Sequence, residues 1–161
     1  MSDAFTLDPV EGRDQVRHPH LRLLYDAWVA SMMPEQPLPV ADRLLQLAQT
    51  ILADDLWYLE IIGEGERPDF IGRFFGRTTM ENYGIDPTGR RISEFARQPV
   101  FARIMRVLGS VAASGLPMRF AAEQSVMSDG GLLEVEALAL PVGGPDGRLL
   151  GVLGATTARP S

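Results

Sequence analysis

From His18 onward the apolar residues recur at helical spacing. Leu21, Leu24, Tyr25, Trp28 and Met32 stand at i, i+3, i+4, i+7 and i+11, one stripe of an amphipathic helix that Pro34 stops. After the proline-punctuated joint Pro34–Pro39, the residues Leu44, Leu47, Ala48, Ile51 and Leu52 mark one face of a second helix. The period then changes. Leu56–Ile62 is aromatic and branched and predicts a strand; the turn residues 63–69 and the run 70–76 make it a hairpin. Gly72 and Gly76 in the second strand leave room for a close neighbour or a bulge.

The segment Phe75–Phe95 is dense in punctuation. Thr78 and Glu81 have the spacing of a capping box, Gly84 suits the left-handed end of a short helix, and residues 86–89, Asp-Pro-Thr-Gly, suit a turn. Gly84 or Gly89 is expected at positive φ. A longer helix starts at Pro99, carries Phe101, Ile104, Met105 and Leu108 on its inner face, and ends at Gly115. The last third reads as three strands, roughly 117–127, 132–142 and 148–157, joined by the short turns 128–131 and 143–147. The order is helices, two strands, short helices, one long helix, three strands. It predicts an α+β domain with helices on one face of an antiparallel sheet. Residues 1–17 show no periodicity and read as a flexible arm, with one domain over 18–158.

Composition narrows the chemistry. At 161 residues and 45% hydrophobic, the chain can bury a core, and no apolar run approaches the ~20 residues of a membrane span. The polar, acidic N-terminus is not a secretory signal, and the simplest compartment is the cytoplasm. There is no cysteine, which excludes disulfides, thiolate metal sites and cysteine nucleophiles. All 15 cationic residues are arginine, so Schiff-base, pyridoxal phosphate and P-loop lysine chemistry are absent. A net charge of −6 argues against nucleic acid as a partner.

Candidate catalytic groups are sparse, and no enzyme activity is expected. The only histidines, His18 and His20, flank Pro19 at a helix start and lack the further ligands a metal would need. Glu134 and Glu136 share one strand face; with Leu133, Val135 and Ala137 directed to the core, they are expected in solvent. Gly63-Glu64-Gly65 is too short for a dinucleotide fingerprint, and no nucleophile elbow occurs. Arg73, Arg77, Arg90 and Arg91 could grip an anion or simply pair with Glu81, Asp86 and Glu94. Asp86 or Arg90 could also tie the turn to the sheet.

The element order, with Phe74-Phe75-Gly76, then Gly84, Asp86 and Thr88-Gly89-Arg90, then Leu140-Pro141 and Gly151 in the closing strands, resembles a family of small bacterial single-domain PAS-like proteins, formerly a domain of unknown function. The likeness runs from about His18 to Ala155. It implies a PAS-like five-stranded antiparallel sheet with an extra N-terminal helix, and with the first strand interior and beside the last. It also implies a sensory or protein-interaction module, with no output domain attached, that binds a small ligand in an apolar pocket and signals through a protein partner. Phe70, Phe74, Tyr83, Phe95, Phe101, Met105, Met118 and Phe120 are the candidate pocket residues, or else they form a filled core. The cofactor is unknown. A covalent flavin adduct needs a cysteine this chain lacks, and a long helix without histidine counts against haem. The helix before the first strand is expected to join a homodimer through Leu21, Leu24, Tyr25, Trp28 and Met32, unless that stripe covers the protomer's own sheet. A cone-shaped α+β fold of the nuclear-transport-factor-2 type and a purely structural dimerisation module are the alternatives. The former would want a histidine–acid dyad inside its pocket.

Overall fold

The computed structural model describes residues 5–63, 67–126 and 132–160. In chain order the elements are β1 (Thr6–Pro9), α1 (Pro19–Ala30), α2 (Ala41–Leu52), β2 (Leu56–Ile62), β3 (Asp69–Phe75), α3 (Arg77–Tyr83), α4 (Pro99–Ser114), β4 (Met118–Val126), β5 (Leu132–Gly143) and β6 (Leu149–Pro160). All strand pairs are antiparallel, and the sheet order is β1-β4-β5-β6-β2-β3. The first strand of the hairpin lies inside the sheet, paired with the last strand from Leu56 opposite Ala155 to Glu60 opposite Gly151.

Two features depart from the sequence expectation. The sheet has six strands, because Thr6–Pro9, expected in a flexible arm, pairs with Met118–Ala121 of β4. Val10 and Val16, further along that arm, are buried. Helices also cover both faces rather than one. Trp57 and Leu59 of β2, Val135, Ala137 and Ala139 of β5 and Val152 of β6 meet α3, α4 and the 3-10 turn Ile92–Phe95. The intervening residues Leu56, Tyr58, Leu138, Leu140, Val142, Leu153 and Ala155 meet α1 and α2. Alternate side chains of a strand point to opposite faces, so a strand apolar at every position must be covered twice. β5 does this from Ala137 to Val142.

The α1 stripe is therefore taken up inside the protomer. Leu21 and Leu24 are fully buried, Tyr25 and Trp28 are 8% and 7% exposed, and Met32 packs against the same cluster. The Trp28 indole N–H donates to Pro141 O at 2.8 Å. Those residues cover the protomer's own sheet, the second of the two roles that the sequence left open for them. A helix on the sheet must bury its apolar stripe, and this one does so locally.

Local geometry follows the punctuation, with one exception. Gly84 and Gly115 end α3 and α4 in the left-handed region at φ 77° and 68°, and Gly89 has φ 79°. The capping box at Thr78 and Glu81 does not form: α3 starts two residues earlier than that spacing requires, with Gly76 as its N-cap. Gly76 is glycine for another reason, since a Cβ there would stand 2.2 Å from Ala53 O. Gly72 lets the 87–91 turn dock on β3: Gly89 N donates to Gly72 O, and Gly72 N donates to Arg90 O. The turn is thus tied to the sheet through the backbone of Arg90, while the Asp86 carboxylate accepts from Thr88 N within the turn. The turn at 128–131 lies outside the described residues.

Candidate ligand cavity

Between α4 and the sheet lies a cavity of about 60 Å³. Leu59 of β2 and Val135 and Ala137 of β5 form its floor, with Phe120 from β4. Val100, Phe101, Ile104, Val107 and Leu108 of α4 roof it, and Phe75, Ile92 and Tyr83 close one side. The wall is mostly apolar because α4 presents its inner stripe to the small side chains of β5. Tyr83 and Phe95 pack on Phe101 at centroid distances of 5.4 and 5.2 Å. The Arg90 guanidinium lies 4.7 Å over the Phe95 ring, so the arginine of the turn holds the outer aromatic of this stack.

Polar groups enter the cavity wall together. Trp57, Tyr83, Arg103 and Thr156 all line it. The Trp57 indole N–H donates to Thr156 Oγ1 at 2.9 Å. Burial pushes the Tyr83 hydroxyl up to about 12, opposed by the Thr156 hydrogen bond and the Arg103 charge. Tyr83 is therefore a neutral O–H donor at any physiological pH. β6 contributes to both sides of this arrangement. Gly154 lies opposite Trp57 in the ladder and leaves space for its indole, and Thr156, two residues on, shares the face of Gly154.

A second, open groove of about 800 Å³ runs past the start of α1 and is lined by Phe5, Arg17, His18, Arg119, Glu134, Glu136 and Arg159, among others. Glu136 is its fixed point. Its carboxylate accepts from Arg17 N (2.9 Å), His18 N (2.7 Å) and Arg119 Nε (2.6 Å). Burial pushes this carboxyl up, but the Arg17 N–H, the Arg119 guanidinium and the His18 N–H outweigh that and hold it below the usual glutamate range. Glu136 thus anchors the entry to α1 rather than facing solvent as the alternation suggested. Glu134 does lie in solvent, paired with Arg159 at 2.8 Å. His18 Nδ1 accepts from His20 N as the cap of α1. Among the described residues no group of three or more histidine and carboxylate side chains could hold a metal ion.

No family model matches the chain, and no curated protein matches it. Solved structures do. The PAS domain of BvgS from Bordetella pertussis superposes with a TM-score of 0.51 at 16% identity, over 74% of this chain and 88% of that one. The fold is that of a PAS domain. An RNA-binding Light-Oxygen-Voltage receptor matches over 97% of this chain at 15% identity and a TM-score of 0.49; the chain spans 39% of that receptor's length. Among the described residues no helix is long and apolar enough to cross a membrane.

Within this PAS fold the predicted pocket residues divide. Tyr83, Phe101 and Phe120 line the cavity. Phe70, Met118, Phe95 and Met105 belong to the same apolar cluster but form the packing around it. Phe74 lies on the opposite face, against the α1–α2 cluster. The β2–β3 register shifts between Tyr58 and Leu59, so Phe70 and Phe75 share a face and Phe74 does not. A bulge of this kind breaks a two-residue period. The sequence reading missed Trp57, Thr156 and Arg103 because their convergence depends on the β2–β6 register and on how α4 sits. A tryptophan in a strand gave the only hint, since a buried indole N–H needs an acceptor.

Proposed function

We propose that this chain is a cytoplasmic, non-enzymatic PAS-like sensory module. It binds a small, mainly apolar molecule beneath α4 and passes its occupancy to a protein partner. The observation that carries this reading is the gathering of Trp57, Thr156, Tyr83 and Arg103 in the wall of an otherwise apolar cavity. Apolar walls with a few placed polar groups are what small-molecule sites use for affinity and orientation. A filled core would gain nothing from collecting buried donors at an empty space. The resemblance to small bacterial PAS-like proteins supports the same role.

The mechanism is a population shift. A ligand moves a two-state equilibrium only by the difference in its affinity for the two states. The states here are α4 close to the sheet and α4 displaced from it. Pairing of two copies, if it runs through α1, uses the outward residues Leu23 and Val29, because the inward stripe is occupied. The nuclear-transport-factor-2 reading loses its dyad: both histidines stand at the start of α1, on the helix layer across the sheet from the cavity.

The test is the native mass of the protein purified from its own cells, compared with the denatured mass, for the wild type and for Ala137→Val. Ala137 lines the cavity, and two added methyl groups occupy it. The expected result is a small added mass on the wild type that Ala137→Val lacks while staying folded. An unliganded wild type that also takes up no xenon under pressure overturns the reading.

A further inference from the structure

The charge of this chain is divided between its parts. Residues 87–118 hold five arginines, Arg90, Arg91, Arg97, Arg103 and Arg106, and a single acidic residue, Glu94. The rest of the chain holds ten arginines and twenty acidic residues. The fold keeps the basic group together. The 3-10 turn Ile92–Phe95 packs on α4, with the Phe95 ring 5.2 Å from Phe101 and the Arg90 guanidinium 4.7 Å over Phe95. Arg97 stands just before α4, and Arg103 and Arg106, three residues apart, are neighbours on its surface.

Two carboxylates reach this turn, and both are taken. Glu94 pairs with Arg90 at 3.4 Å, and Asp69 accepts from Ser93 Oγ at 2.5 Å. Arg91, Arg97 and Arg106 are exposed, and among the described residues none of the three enters a salt bridge. Like charges held together repel, and an anionic partner relieves that repulsion. The surface beside them is low. Ala102 and Ala113 are exposed, and a Cβ on Gly109 would meet nothing within 4 Å. The side chains at a contact set how near a second backbone can come, and these allow a close approach.

The proposed function needs a protein partner. Resting on that reading, we propose that the partner presents an acidic segment that docks along the outer face of α4, with its carboxylates on Arg91, Arg97 and Arg106. An arginine fork takes a carboxylate through two parallel hydrogen bonds. A nucleic acid matches this surface less well. Its charges recur about every 1.7 Å of duplex and run on past the patch toward the acidic remainder of the chain. A second copy offers acidic surface too, but a head-to-tail contact leaves the same patch open on the next copy and does not close.

The experiment titrates the full chain with a labelled glutamate–alanine peptide, its glutamine–alanine counterpart and an oligouridylate of equal charge, following the amide resonances of Ala102, Gly109 and Ala113. The expected result is saturable, salt-sensitive binding of the glutamate peptide that moves these resonances and weakens about fivefold in Arg91→Gln/Arg97→Gln. The glutamine peptide should not bind. A second variant, Gly109→Glu, adds a carboxylate in open space and should weaken the glutamate peptide as well. No saturable binding of that peptide, shifts confined to other surfaces, or equal affinity in both variants overturns the proposal. Tighter binding of oligouridylate overturns it in favour of a nucleic acid. Salt-sensitive self-association of the chain alone, read by sedimentation, overturns it in favour of a second copy. Xenon, followed at Ala137, reports on the cavity separately. Peptide binding without xenon uptake leaves the docking surface and removes the cavity, and xenon uptake without peptide binding does the reverse.

Discussion

Trp57 and Gly154 are cross-strand partners in β2 and β6, and a Cβ on Gly154 would stand 2.6 Å from Trp57 Cζ2 and 2.1 Å from Leu138 O. The indole position, and with it the hydrogen bond to Thr156, depends on the glycine having no side chain. Gly154→Ala should destabilise the protein by about 1–3 kcal/mol, the usual range for overpacking a core. Gly12, with open space around it, is the comparison: Gly12→Ala should stay within about 0.5 kcal/mol of wild type. Urea denaturation read by tryptophan fluorescence separates them. Equal midpoints for the two variants would show that Trp57 does not need this gap.

The left-handed turns give a second expectation. Gly84 and Gly89 have φ of 77° and 79°, and Gly89 has no neighbour within 4 Å of a prospective Cβ, so its penalty is conformational rather than steric. Valine at either position should cost roughly 1–3 kcal/mol. Gly72→Ala acts differently, by pressing on Pro87 O at 2.8 Å and on the Phe75 ring. It should release the 87–91 turn and expose the Gly89 amide, which donates to Gly72 O, to exchange. Unchanged thermal melts for both valine variants would contradict the turn geometry.

Trp28 offers the cleanest separation between self-covering and pairing. Its ring is buried against the sheet and its N–H is bonded to Pro141 O. Trp28→Glu removes about 3–5 kcal/mol of packing and buries a charge, which exceeds much of a small domain's stability. The expected outcome is loss of the cooperative far-ultraviolet melt. Leu23→Glu, on the outer face of the same helix at 49% exposure, should fold normally. A folded, monomeric Trp28→Glu protein would refute the burial and restore the dimer contact.

Acid should act through Glu136. Its carboxyl titrates below the ordinary value near 4.5 in the folded protein. The folded state therefore holds this proton less readily than the unfolded chain, and stability from this group is complete above the unfolded value and lost as pH falls through the lower folded one. Glu136→Gln should reduce stability at neutral pH and flatten its decline below about pH 4.5. Chemical denaturation across pH 3 to 7 measures both. A variant whose acid decline matches the wild type would remove Glu136 from the entry to α1.

Strands β2 to β6 and α4 were legible because their signals are local. Pro99 and Gly115 bracket α4 in the sequence as they do in space, and β2 was read over the same residues it occupies. β1 was not legible. Thr-Leu-Asp-Pro has no period and ends in proline; it is a strand only because β4 offers an open edge, which is a tertiary cause. The second helical layer had a readable sign that the alternation at Glu134 and Glu136 obscured. From Ala137 to Val142 β5 has no exposed position, which signals cover on both faces. The cavity was legible as aromatic content but not as a site, because Phe74 changes face at a bulge and Thr156 gains its role only from the register with Trp57.

Helices on both faces make the cavity a box with one stiff wall and one soft one. The sheet cannot yield toward α1 and α2, because its strands are locked edge to edge by hydrogen-bond ladders and backed by a packed layer. α4 is held to the sheet by side-chain packing, without a ladder to the strands. Under the proposed function, a guest larger than the cavity would displace α4, and the size of the guest would become the travel of one helix. The protein would act as a gauge, and a partner that rests on the outer side of α4 would read it.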